Sequence, residues 1–319
     1  MVDVFSDTYG CVFPQCNGYQ SPLPIVALSS AADNEVVGVV KETGYDAQDR
    51  LVFLDFSQAT SCSSFKEILS RRNAPVEIGY SSQIYKKVDY VRNVVGLSHF
   101  VDSSFCVSLF FVQPDSIEEL IIEQANSFSI SGDTIWTLRP SKSGSDITQS
   151  NLDSADLPQY SVSCSLSTGE VFAYERGRSV VFGPSDILHL DSRTPHPDTI
   201  ISLVNCFAVD GVVEEGKIVI ADSREQVSLY DLRNTAEPVS SARCLGGVPS
   251  LASASNGHLL LTSKLQVGIL DLSTFSIKGA AKSFDGEVLS ASFISFGNDT
   301  LQFCSSTASS MVYNWSLVN

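Results

Sequence analysis

The sequence predicts an all-β chain built from about seven repeated units of about 40–45 residues. Three observations carry this. Short apolar segments alternate with a period of two and are bounded by Gly, Asn, Asp and Ser, the pattern of half-buried strands and turns. Helical periodicity is nearly absent, with "SSFKEILSRR" (63–72) as its best and short example. A strand motif also returns at a spacing near 40 residues, the period of stacked sheet units.

The repeat is clearest toward the C-terminus. QVSLYDL (226–232) matches QVGILDL (266–272) 40 residues later. Going back along the chain, EVFAYER (170–176) and RLVFLDF (50–56) align with it, and MVYNWSL (311–317) closes the series. The equivalent positions are then Asp55, Glu175, Asp231, Asp271 and Ser316, with 120 residues, three periods of 40, from Asp55 to Glu175. The longer step from Glu175 to Asp231 is read as one period plus an insertion covering "PSDILHLDSRTPHP". Two further units must fill 57–169, marked by "NVVGLSHF" (93–100) and "TIWTL" (134–138).

Residues 285–319, "DGEVLSASFISFGNDTLQFCSSTASSMVYNWSLVN", resemble a WD repeat, as does the neighbouring "VPSLASASNGHLLLTSKLQVGILDLST". The resemblance implies a seven-bladed β-propeller of four-stranded antiparallel blades, a single domain over 1–319. It covers the C-terminal third and residues 20–60 best. No unit carries Gly-His before its first strand, and only Trp136 and Trp315 are read at the tryptophan position. The family's His–Ser–Asp–Trp hydrogen-bond network is therefore expected to be broken, with apolar packing holding the blades. The last unit stops after its third strand, whereas "VDVFSDTYGCVF" (2–13) offers a spare strand. An N-terminal strand is thus expected to complete the final blade and close the ring, removing an exposed edge.

Composition excludes several classes. With 43% hydrophobic and 18% charged residues the chain is globular. Twenty Lys+Arg against 36 Asp+Glu give a net charge of −16. That field disfavours direct binding to nucleic acid or anionic membrane and favours a basic protein partner. No apolar run reaches the roughly 20 residues of a membrane span. "MVDVFSDTYG" has neither the positive nor the apolar region of a signal peptide, so the eight cysteines are expected reduced, in the cytoplasm or nucleus. Cys106, Cys164, Cys206 and Cys304 fall in apolar runs and read as small packed hydrophobes.

Chemistry-bearing motifs are few. His189 and His196, with Asp186, Asp191 and Asp198, are read as part of a solvated loop with no metal-ligand spacing. No Cys-x-x-Cys pair, nucleophile elbow, phosphate loop or zinc-protease motif occurs, so no catalytic, cofactor or metal residue is assigned. A site assembled from several blades would leave no linear trace, which keeps a propeller-fold hydrolase as an alternative. "RRNAPVEIGYSSQIYKKVDYVR" (71–92) holds five basic and two acidic residues and reads as a solvated loop.

Two stretches suggest partner contacts. "DSIEELIIE" (115–123) clusters Glu118 and Glu119 with other acids, and with Asp210, Glu214 and Glu215 these are expected to line an acidic face. Tyr230-Asp231-Leu232-Arg233 resembles the Trp-Asp-x-Arg box of WD-repeat substrate receptors for cullin-4 ubiquitin ligases. That resemblance implies a ligase adaptor as an alternative partner, met by Tyr230, Asp231 and Arg233 at a rim. The reading that the whole sequence favours is a non-enzymatic scaffold in a multiprotein complex, binding a basic partner segment.

Overall fold

In a computed structural model the chain is an all-β, seven-bladed β-propeller. The structure describes residues 2–3, 15–32, 34–42, 48–58, 64–70, 75–78, 84–101, 103–113, 116–155, 157–175, 177–214, 216–244, 249–282, 285–296 and 300–318. Each blade is one sheet, and its strands follow the chain from one sheet edge to the other except where an N-terminal strand joins at an edge. In the segment with the best helical periodicity, the described residues hold a three-residue 3-10 turn, Phe65–Glu67.

By internal contacts the chain divides into two compact units. The first contains Val91–Arg243. Its blade two runs through Val94–Val101 and Ser104–Val112 to the edge strand Ile117–Glu123. Blade three is Ser127–Ser131, Thr134–Ser141, Gly144–Asn151 and Tyr160–Cys164. Blade four is Glu170–Glu175, Arg178–Phe182, Asp186–Asp191 and Asp198–Ser202, and blade five is Ala208–Glu214, Lys217–Asp222, Gln226–Asp231 and Ser240–Arg243. Both faces of these sheets are covered, so their strands read as apolar runs and the core lies between blades. One such layer joins Leu109, Ile122, Phe128 and Ile135 across blades two and three. Another joins Phe182, Ile187, Val213 and Ile218 across blades four and five. Serine hydroxyls stitch neighbouring first strands: Ser127 Oγ accepts from the Val171 N–H at 3.1 Å and Ser129 Oγ from Ala173 at 3.0 Å. Such bonds satisfy the Val171 and Ala173 N–H groups where two sheets meet.

The second unit holds Asp3–Tyr90 and Cys244–Asn319, with blades one, six and seven. In blade seven the strands Val288–Phe296, Thr300–Thr307 and Met311–Val318 are completed by Gln15–Gln20. Its register runs from Gln15 opposite Ser316 to Gln20 opposite Met311. The closing strand therefore follows the expected 2–13 segment instead of coinciding with it. Of that segment, 4–13 lies outside the described residues, and Val2–Asp3 forms the edge of a different sheet. Position 15–20 is selected because it places Tyr19 in the core with Ile25, Leu28 and Val312. Trp315 stacks on Phe303, and its indole N–H donates to Ser305 Oγ at 2.9 Å, so this part of the expected broken network is present.

The units differ in register from the sequence reading at three places. RLVFLD, QVSLYD, QVGILD and MVYNWSLV are third strands, as aligned, but EVFAYE (170–175) is the first strand of blade four. The third strand of that blade is Asp186–Asp191, so the supposed insertion is part of a regular blade. Asp191, Asp231 and Asp271 then recur every 40 residues. Likewise, the segments 93–100 and 134–138 fall in second strands, which removes Trp136 from the tryptophan position.

His99, in blade two, is buried with its Nε2 3.0 Å from Ser108 Oγ, and burial lowers its pKa to about 4. Below pH ~6.5, the ordinary histidine value, the unfolded chain takes up a proton that the folded chain refuses until about pH 4. Stability should therefore fall as pH drops through that window. Chemical denaturation of wild type and His99→Gln at pH 7 and pH 4.5 should show a smaller loss in the variant; equal losses would contradict it. A second expectation concerns blade seven. Deleting residues 1–20 should abolish the cooperative thermal transition or lower Tm sharply, and an unchanged Tm would show that Gln15–Gln20 is dispensable.

Candidate interaction surfaces

The third strand of several blades ends in an aspartate that builds the following turn. Asp55 Oδ1 accepts from the Ser57 N–H, Asp231 Oδ1 from Arg233 and Asp271 Oδ1 from Ser273, each at 2.8 Å, and Asp191 Oδ1 from Arg193 at 3.0 Å. The carboxylate thus imitates a backbone acceptor, an Asx turn. The next N–H reaches the turn between the first and second strands of its own blade. Ser192 donates to Gly177 O at 2.8 Å, Leu232 to Gly216 O at 3.0 Å and Leu272 to Gly257 O at 2.8 Å. Those glycines have φ between 72° and 76°, where a Cβ would be strained.

This geometry separates the roles within 230–233. Tyr230 is buried in the layer between blades four and five, so it is a packing residue and not a surface contact. Asp231 fixes the turn. Arg233 projects with its side chain 93% exposed, its Nε 3.5 Å from Asp231 Oδ1. The same Asp-x-Arg arrangement occurs 40 residues earlier, at Asp191-Ser192-Arg193, which the sequence reading placed in an insertion. There the guanidinium is tied down, with Arg193 Nε 2.8 Å from Asp191 Oδ1. Hydrogen bonds from Arg193, side chain and backbone, hold the Asp191 carboxyl well below the usual range despite some desolvation.

The predicted acidic residues are not brought together. Glu118 and Glu119 lie exposed on the edge strand Ile117–Glu123 of blade two, opposite Phe111 and Phe110. Leu120 and Ile122 of that strand turn into the core, while Ile117, Ile121 and Glu123 face solvent. Glu214 instead ends the first strand of blade five, with blades three and four between, and Glu215 lies outside the described residues.

Glu214 belongs to a groove that sequence reasoning missed. About 520 Å³ opens between the first strands of blades four and five, lined by Phe172, Tyr174, Glu175, Val213, Glu214 and Gly216. Glu175 is bridged to Arg178 at 2.9 Å. The Tyr174 hydroxyl lies 2.8 Å from His189 Nε2, so His189 is a strand residue facing a neighbour and not part of a solvated loop. Burial pushes the Tyr174 hydroxyl up and His189 down. Both shifts favour the uncharged form of their group. Among the described residues no three His, Cys, Asp or Glu side chains converge as metal ligands, and no helix is long and apolar enough to cross a membrane. Cys106, Cys164 and Cys304 are buried as expected for packed thiols, whereas Cys206 is half-buried in a connection.

Compared with known proteins, the chain matches no family model and no curated relative.

The division of labour in the Asp-x-Arg turn gives a direct expectation. Asp231→Ala removes a turn-forming acceptor and should cost about 1 kcal/mol, whereas Arg233→Ala should stay within about 0.5 kcal/mol of wild type. Urea titration of both variants measures this, and equal losses would contradict the assignment.

Proposed function

We propose that this chain is a non-enzymatic, WD-repeat-type scaffold that holds a basic segment of a protein partner within a multiprotein complex of the cytoplasm or nucleus. The observation that carries this reading is the edge strand of blade two, where Glu118, Glu119 and Glu123 face solvent beside exposed Ile117 and Ile121. Edge strands ordinarily carry lysine or proline to discourage pairing. Here the edge combines carboxylates with aliphatic side chains, a surface that suits Lys/Arg heads and apolar stems together. The net charge of −16 adds long-range attraction for a basic chain. Exposed ion pairs contribute only about 0.2–1 kcal/mol each, so apolar contact must supply much of the affinity.

A specific observation favours a second reading, a substrate receptor of a cullin-4 ubiquitin ligase. The exposed Arg233 and the earlier Arg193 occupy the same turn of neighbouring blades. In that reading Arg233→Ala with Arg193→Ala abolishes co-purification of the ligase adaptor from cell extract.

The main reading is tested with a Lys/Arg-rich peptide as probe. Its association rate should fall several-fold between low and physiological salt, with a smaller change in dissociation. Glu118→Lys with Glu119→Lys and Glu123→Lys should reproduce that fall at low salt. Salt-independent association, or equal binding of a Glu-rich peptide, would overturn it.

A further inference from the structure

We propose that the connection between blades four and five is a second docking site, for a partner segment whose apolar anchor is flanked by Lys or Arg. Three large apolar side chains stand out of this short stretch: Val204 is 70% exposed, Phe207 55% and Val209 42%. Single exposed apolar residues are ordinary on any surface, but three within six residues form a patch.

The patch is held rigid. The Leu203 N–H donates to Ser185 O at 2.7 Å and the Ala208 N–H to Pro184 O at 2.8 Å, which pins both ends to the neighbouring turn of blade four. Phe207 is clamped to blade five, its N–H donating to Ser223 Oγ at 3.2 Å while its carbonyl accepts from the Ser223 N–H at 3.0 Å. Val209 faces outward because of a β-bulge: Ala208 pairs with Asp222 and Asp210 with Ala221, leaving Val209 without a partner position in the register. Bulges of this kind re-aim a side chain. A bulge between Val288 and Ser290 does the same for Leu289 in blade seven, where Val288 is bonded to Lys264 beside exposed Leu265. An apolar anchor fixed in advance loses little conformational freedom on binding, the condition that makes a contact productive.

Charge selects the occupant. Asp186, Asp210, Asp222 and Glu225 lie on the elements that frame the patch. Arg224 and Arg243 also do, and both are already engaged, with Asp222 at 3.1 Å and Glu225 at 3.6 Å. With Glu225 and buried Asp222 each bridged to an arginine, Asp186 and Asp210 supply the negative margin around an apolar centre. A second copy of this chain, itself carrying −16, is a poor fit to it. An aliphatic or aromatic anchor with basic flanks satisfies both features. The site lies on other strands than the acidic edge of blade two, so the two can fail separately.

The test uses three labelled probe peptides of alternating Leu–Lys, Leu–Glu and Ser–Lys, followed by fluorescence anisotropy and by hydrogen exchange of the protein. The Leu–Lys peptide should bind and protect amides in 203–209. Its affinity should drop at least fivefold in Phe207→Ser with Val209→Ser, and much less in the Glu118→Lys, Glu119→Lys variant. Both substituted side chains are exposed, so Tm should be unchanged. No binding of the Leu–Lys peptide, equal binding of the Leu–Glu or Ser–Lys peptide, or insensitivity to the serine substitutions would each overturn the proposal. So would self-association of the wild type that the serine variant loses, because the occupant would then be a second copy.

Discussion

The antiparallel pairing of Gln15–Gln20 with Met311–Val318 is the interaction on which the rest of the fold rests. It joins segments nearly 300 residues apart, and without it blade seven has three strands and an open apolar edge. Loop-closure entropy grows only logarithmically with length, so so long a closure costs little more than a short one. What the pairing gains is local and large: Tyr19 enters the same apolar layer as Ile25, Val36 and Ile294, which fixes the seam of blade one against blade seven. The penalty is kinetic, since contacts between such distant segments form late in folding.

Once the sheets are packed on both faces, little of the interior is left to carry function. Buried Ser127 and Ser129 are committed to neighbouring amides, and half-buried Ser290 Oγ accepts from the Leu28 N–H at 3.1 Å. The third-strand aspartates are committed to their turns. Asp271 shows how firmly: desolvation disfavours its charge, yet bonds from the Ser273 hydroxyl and from the Thr274 and Ser273 N–H groups, with Lys278 beside it, keep the carboxyl well below its ordinary range. In the proposed reading, recognition falls to edges, turn tips and connections, and these differ from blade to blade while the frame repeats. Arg233, the strand Ile117–Glu123 and the 203–209 connection are three such departures on one repeated scaffold.

The fold class was legible because third strands share a strong pattern, apolar alternation ending in Asp. The same pattern misled at EVFAYE, which ends in Glu but is a first strand; Asp191 was the true counterpart, hidden by the prolines and histidines around it. The Asn or Gly of the short turn between first and second strands would have fixed the register of blades one to six, since Asn34, Asn93, Gly132, Gly177, Gly216 and Gly257 all have positive φ there. Of the candidate surfaces, the exposed Glu118 and Glu119 were legible from charge alone. The burial of Tyr230 was not legible, because a tyrosine in a turn motif carries no sign of which sheet will cover it. The groove of Phe172 and Val213 was invisible, because its walls come from two strands that only blade packing brings face to face.

The most direct measurement of the central claim is carbodiimide coupling of the proposed complex, since that reagent joins a carboxylate only to an amine in contact with it. Mass spectrometry of the complex purified from its own cells should find lysines of one partner coupled to Glu118, Glu119 or Glu123. Couplings confined to other carboxylates, or a principal partner without a basic segment, would contradict the account.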